Sequence, residues 1–158
     1  MRKQPVSFRA EVAPRFQFLI DQHGFDGPEY SELLLPAVKY QRPGMLVWIF
    51  LNDDTRDGAG TSISVLISLT TADGSTKADL EDLVEAAVFA PRHRVARKAH
   101  TGAAMRDTLD DNATWVRRLM PLLHAPDVVD LFQSANRYET DRAGNPKRRR
   151  PNIRWKYS

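Results

Sequence analysis

Cysteine is absent from the 158 residues of this chain. Disulfide bonds, thiolate catalysis and zinc sites built on cysteine are therefore excluded, and we expect a reducing compartment, the cytoplasm. Long apolar runs are also missing: the longest covers residues 45–51, whereas a helix that crosses a bilayer needs about 20 such residues. Residues 1–5 carry charge with no apolar stretch behind them, so we expect neither a secretory signal nor a membrane partner.

Signatures of metal and catalytic chemistry are equally scarce. The loop at residues 52–58 spaces Asp53, Thr55 and Asp57 as a calcium loop does, but Ser64 occupies the position that needs a glutamate. There is no GxxxxGK[ST] or GxSxG motif, and the carboxylate pair Glu81/Asp82 lies in a stretch typical of a solvated helix face. No HxxxH or HExxH pair occurs among the four histidines, which are His23, His93, His100 and His124. We therefore expect no metal, no cofactor and no catalytic residue, although a site assembled from distant segments stays open.

Charge is distributed unevenly along the chain. The net charge of +3 divides into −5 for residues 1–90 and +8 for residues 91–158. Residues 142–158 hold seven basic residues and no acidic one, so the remaining chain has a net charge of −4. Arguments from basicity therefore apply to the end of the chain and not to its body.

The apolar pattern predicts an α+β fold, with a small antiparallel sheet and about four helices. Pro14 either bends the first helix or marks its true start. Because residues 45–51 are apolar on both faces, we expect that strand to be central and covered by other layers. The predicted helices cover residues 7–24, 76–90, 105–123 and 126–135, and the three predicted strands cover residues 33–41, 45–51 and 63–69.

The domain organisation follows from the same pattern and from the charge. Residues 1–141 are predicted to form a single α+β domain, and residues 142–158 a basic C-terminal tail. In one interpretation, Ile153, Trp155 and Tyr157 alternate as a docked edge strand, which would be the fourth strand of the sheet. In another, the tail is solvated and disordered.

A third interpretation makes the tail a nucleic-acid arm, because arginine and lysine pair with phosphates while aromatic rings stack on bases. Residues 92–101, which we call the basic connector, precede the third predicted helix and could extend this surface. The candidate residues of the tail are Lys147, Arg148, Arg149, Arg150, Arg154, Trp155, Lys156 and Tyr157, and those of the connector are Arg92, Arg94, Arg97 and Lys98.

Trp48 and Trp115 have different surroundings in the sequence. Trp48 lies within the apolar run, which favours a place in the core over a ligand platform. Trp115 is one position off the apolar stripe of its helix, so it either widens the buried face or lies in an interaction surface.

Function is less constrained than fold. The absence of catalytic motifs favours a non-enzymatic interaction protein with a protein partner, and small bacterial proteins that neutralise a toxin have this size and character. The alternative is a nucleic-acid-associated protein that uses the basic tail and connector.

Overall fold

A computed structural model describes residues 7–54 and 60–136, together with the backbone of residues 138–140 and 146–148. The helices are α1 (Phe8–His23), α2 (Leu80–Ala86), α3 (Gly102–Leu123) and α4 (Val128–Ala135), with a 3₁₀ turn at Arg92–Arg94. The strands are β1 (Asp26–Ser31), β2 (Ala37–Arg42), β3 (Met45–Asp54), β4 (Gly60–Thr71), β5 (Gly74–Asp79), β6 (Tyr138–Thr140) and β7 (Pro146–Arg148).

The first helix begins at Phe8 and continues through Pro14. The hydroxyl of Ser7 accepts a hydrogen bond from the Ala10 amide at 3.4 Å, and Gly24 ends the helix in the left-handed conformation with φ 70°. Val12, Phe16 and Leu19 lie on one face of α1 and are buried. This helix was predicted correctly, and Pro14 does not mark its start.

The main sheet is an antiparallel meander in the order β1-β2-β3-β4-β5. The α+β class and the four helices are confirmed, but the prediction of three or four strands is wrong because the sheet has five. Gly27-Pro28, a pair that is typical of turns, lies within β1, where the register with β2 shifts. Residues 76–79, predicted to start the second helix, belong to β5, because strand pairing such as that of Thr76 with Leu69 outweighs the local helix preference.

One face of this sheet carries the hydrophobic core. Val38, Val47, Ile49, Val65 and Ile67 alternate along β2, β3 and β4, are at most 1% exposed, and belong to the same buried cluster as the apolar faces of the helices. The opposite face has no helix among the described residues packed on it. The expected covering of residues 45–51 is therefore found on one side only within the described part of the chain.

Tyr40 extends this core toward α1. Its ring stacks on Phe16 with 6.3 Å between centroids, and burial raises the pKa of its hydroxyl well above the ordinary value. The hydroxyl has no hydrogen-bond partner among the described residues.

The longest helix, α3, buries the apolar stripe expected from the sequence. Met105, Leu109, Val116 and Leu119 are at most 7% exposed, and Trp115 is 8% exposed beneath the Arg118 guanidinium. Trp115 thus widens the buried face of the helix. None of the helices in the described ranges is long and apolar enough to cross a membrane.

The chain after α4 forms a separate two-stranded sheet. In its register Tyr138 pairs with Arg148 and Thr140 pairs with Pro146. The predicted tail residues Lys147 and Arg148 therefore lie in β7. The predicted docked strand with Ile153, Trp155 and Tyr157 falls outside the described residues, as does the domain boundary after residue 141, and both stay predictions.

Candidate functional site

The loop between β1 and β2 exposes three consecutive leucines, and we call residues 33–35 the leucine loop. Leu33 and Leu34 are 93% and 96% exposed, and Leu35 is 37% exposed. Burying one leucine side chain is worth about 1.5–3 kcal/mol, so an exposed pair leaves a favourable contribution unused. Adjacent exposed apolar side chains of this kind mark interaction surfaces more often than isolated ones do.

The ends of the leucine loop are fixed by contacts with the domain. The Leu51 amide of β3 donates to the carbonyl of Pro36 at 2.9 Å. On the other side, Arg9 of α1 pairs with Glu32 at 2.7 Å and lies 4.8 Å from the centre of the Tyr30 ring. The leucines are therefore presented by an anchored loop.

A second apolar group lies on the uncovered side of the sheet, which we call the open face. The rings of Trp48 and Phe50 stack with 5.6 Å between centroids, and Leu66 is the register partner of Trp48. With Leu46 these side chains are half-buried and separate from the core cluster. The expectation that Trp48 lies in the core is thus not met, because β3 presents it on the side without a helix.

The leucine loop and the open face adjoin at one end of the sheet. Ala37 follows Pro36 at the end of the loop and is the register partner of Phe50. Lys39 lies 5.3 Å from the centre of the Trp48 ring and pairs with Glu29 at 3.1 Å. The face therefore combines apolar side chains with a neutralised lysine.

The basic connector predicted as part of a nucleic-acid surface is held as an extended segment against β4. The Ile63 amide donates to the carbonyl of Arg97 at 2.7 Å, and the Ala99 amide donates to the carbonyl of Thr61 at 3.0 Å. Ser62 and Lys98 are opposite each other in this pairing. Arg97 and Lys98 consequently have a fixed place at the edge of the sheet.

Polar side chains of α3 hold the other edge of the same segment. The Thr108 hydroxyl donates to the carbonyl of Lys98 at 2.6 Å, and the Asn112 amide donates to the carbonyl of Ala96 at 2.9 Å. The Asp111 carboxylate accepts from the Ala96 amide at 2.8 Å. Thr108 and Asn112 are at most 3% exposed, so two buried polar side chains serve to fix the connector.

Two buried carboxylates at the start of α2 face this connector. Glu81 and Asp82 are 6% and 4% exposed, which corrects their assignment to a solvated helix face. Arg92 lies 3.3 Å from Asp82 and 3.8 Å from Glu81, and Arg97 lies 3.7 Å from Glu81. Burial of these carboxylates follows from tertiary packing around charged partners, which the sequence pattern does not contain.

The predicted basic residues are thus brought together only in part. Arg92 and Arg94 lie in the 3₁₀ turn, and Arg97 and Lys98 lie in the clamped segment beside it. The remaining predicted residues, Arg149, Arg150, Arg154, Trp155, Lys156 and Tyr157, lie outside the described part of the chain. That the tail and the connector form one basic surface stays a prediction.

A histidine pair joins three elements at the opposite end of the domain. Nδ1 of His23, at the end of α1, is 3.1 Å from Nε2 of His124, which follows α3. Arg42 of β2 places a guanidinium nitrogen 2.8 Å from His124 Nδ1 and donates to the His23 carbonyl at 3.2 Å. Burial and, to a smaller extent, the Arg42 charge lower the pKa of both imidazoles, and His23 further lowers the pKa of His124.

This cluster predicts a loss of stability in mild acid. The folded-state pKa values lie below the ordinary value of about 6.5, so the unfolded chain binds protons first. The free energy of unfolding should therefore fall as the pH drops below about 7 and should level off below the folded pKa values. Urea denaturation at pH 7.5 and pH 5.5 measures this loss.

The variant His124→Gln should lose less stability than the native chain over that pH interval. His100→Gln is the matched control and should behave as the native chain does. Equal losses in the native chain and His124→Gln would show that other groups cause the pH dependence.

Within the described ranges 7–54 and 60–136, no three side chains of histidine, aspartate or glutamate lie together as a set of metal ligands. The site features that the described structure does offer are an exposed apolar surface, a clamped basic connector and the histidine pair. No protein-family model matches this chain, and no curated protein or solved structure is significantly similar to it.

Proposed function

We propose that this chain is a non-enzymatic binding protein that engages a protein partner through the leucine loop and the adjoining open face. The observation that carries this proposal is the exposure of Leu33 and Leu34, at 93% and 96%, in an anchored loop. The centres of protein interfaces are enriched in apolar and aromatic side chains, and Trp48 and Phe50 supply the aromatic part.

The chemistry of this surface favours a protein over a nucleic acid. Trp48 and Phe50 offer rings for base stacking, but the cation beside them, Lys39, is paired with Glu29 at 3.1 Å. Nucleic-acid binding depends on cations that release counterions from phosphates. Residues 1–141 instead carry a net charge of −4.

The partner that fits is a protein with an apolar groove bordered by basic side chains. Its positive charge complements the acidic body of this chain, which would speed association and favour the correct partner. Neutralising a toxin with a basic surface is one activity of this kind. The alternative, nucleic-acid binding through the tail and connector, predicts a different response to mutation.

The test begins with the protein that co-purifies with the full chain, which is identified, produced separately and titrated by calorimetry. The double substitution Leu33→Ser and Leu34→Ser should weaken its binding at least tenfold, because two apolar side chains no longer enter the interface. Val129→Ser, at an apolar residue that is 37% exposed on α4, is the control and should bind as the native chain does.

Unchanged affinity of the leucine double variant would overturn the proposal. Salt-dependent binding to RNA that disappears when Lys147, Arg148, Arg149 and Arg150 become alanine, while the leucine variant binds normally, would establish the alternative. Melting curves of each variant separate loss of binding from loss of folding.

A further inference from the structure

A cavity of about 440 Å³ lies between the start of α2, the basic connector and α3. This volume is in the range of small-molecule sites. Val95 and Ala96 contribute an apolar wall, and Thr108 contributes a hydroxyl that is committed to the connector backbone. The charged and titratable lining residues are Glu81, Arg92, His93, Arg97 and Lys98.

The two arginines of this cavity approach the same oxygen. Arg92 and Arg97 lie 3.8 and 3.7 Å from Glu81 Oε1, so both guanidinium groups lie near this carboxylate. Charge-assisted hydrogen bonds are about 2.7–2.9 Å long, and these contacts are longer. Each guanidinium has five N–H donors. Among the described side chains, Arg97 donates a hydrogen bond only to Ser64 Oγ, at 3.2 Å.

Positive charge exceeds negative charge on the cavity wall. Arg92, Arg97 and Lys98 carry three positive charges, whereas Glu81 lines the cavity and Asp82 pairs with Arg92 at 3.3 Å. With His93 counted as neutral, these groups leave an excess of one positive charge. A phosphate monoester carries about −1.5 to −2 near pH 7 and accepts hydrogen bonds at three oxygens. Planar guanidinium groups match that arrangement of oxygens.

We propose that this cavity binds the phosphate group of a small phosphorylated molecule. The guanidinium groups of Arg92 and Arg97 and the ammonium group of Lys98 hold the phosphate, and the remaining volume accommodates the organic part against Val95 and Ala96. None of the residues that line the cavity belongs to the leucine loop or to the apolar group of the open face, although Arg97 contacts Ser64, the register partner of Phe50. The proposal does not depend on the proposed protein partner.

The backbone of the connector is already fixed before a ligand binds. Hydrogen bonds from α3 and β4 fix the backbone of Ala96, Arg97 and Lys98 from both sides. Little conformational entropy of the backbone is then lost when a ligand binds. The buried carboxylates hold the arginines in place without saturating their donors.

The experiment is an NMR titration of the ¹⁵N-labelled full chain with phenyl phosphate, and separately with inorganic phosphate, at constant ionic strength. Saturable shifts of the amides of residues 95–98 are expected with both ligands. Lys98→Ala should weaken binding about tenfold, because one charge-assisted contact is lost. This lysine has no ion pair with a described carboxylate, so its removal leaves the buried pairs intact.

Arg97→Gln should weaken binding by a similar factor. Arg106→Ala is the matched control: this arginine lies on α3, 3.8 Å from Glu11, and its removal should leave the affinity unchanged. Shifts confined to residues 142–158, shifts that do not saturate, or native affinity in Lys98→Ala would each overturn the proposal. Tighter binding of phenyl phosphate than of inorganic phosphate supports a phosphorylated organic ligand. Equal binding of the two would mean that the site recognises only the anion, which contradicts the proposal that the organic part of the ligand also binds.

Discussion

Replacing Phe16 by alanine is expected to lower the free energy of unfolding by about 4 kcal/mol. Phe16 is fully buried between α1 and the sheet, and its ring stacks on Phe18 at 6.0 Å and on Tyr40 at 6.3 Å between centroids. Removing the ring loses its transfer free energy and leaves a cavity at the contact between helix and sheet. Since small domains are stable by about 5–15 kcal/mol, urea denaturation should show a large shift of the midpoint.

Phe50→Ala is the matched control for this substitution. Phe50 lies on the open face, half-buried against Trp48, so we expect a cost of about 1 kcal/mol from the lost aromatic contact and partial burial. Comparing the two variants tests the one-sided packing of the sheet. If Phe50→Ala destabilised the chain as much as Phe16→Ala, the open face would have to be covered in solution, and its role in partner binding would fail with it.

Elements with strong periodicity could be predicted from the sequence. The stripes of α1 and α3 repeat at helical spacing, and β3 and β4 follow from an apolar run and from alternation. β1 and β5 could not be predicted, because Gly27-Pro28 and Gly74 are typical of turns. Their strand conformation comes from hydrogen bonds to the adjacent strands β2 and β4, which the residue pattern of either segment does not by itself contain.

The candidate surfaces were harder to predict from the sequence than the helices and strands. Residues 33–41 were predicted to be one strand, but three successive leucines before Pro36 do not alternate, and that departure was the available signal for an exposed loop. The connector was recognised by its charge. Its clamping, and the burial of Glu81 and Asp82, depend on side chains from α2 and α3 that only the folded chain brings together.

Replacing Asn112 by alanine should test that clamping, with an expected loss of about 2 kcal/mol in the free energy of unfolding. Asn112 is 1% exposed, and its side-chain amide donates to the Ala96 carbonyl at 2.9 Å. The substitution removes the donor and leaves the half-buried Ala96 carbonyl without that partner. Hydrogen exchange at Ile63 and Ala99 should accelerate as well, because these amides form the bonds between β4 and the connector.

Thr114→Ala provides the control on the same helix. Thr114 is exposed and its hydroxyl bonds to the Asp110 carbonyl within α3, so its removal should change the free energy of unfolding by less than about 0.5 kcal/mol. Faster exchange confined to Ile63 and Ala99 in Asn112→Ala would show that α3 fixes the connector. Weaker phosphate binding in the same variant would then follow from a less ordered cavity wall. Unchanged stability and exchange would mean that pairing with β4 is sufficient to hold the connector, and the buried amide of Asn112 would need another explanation.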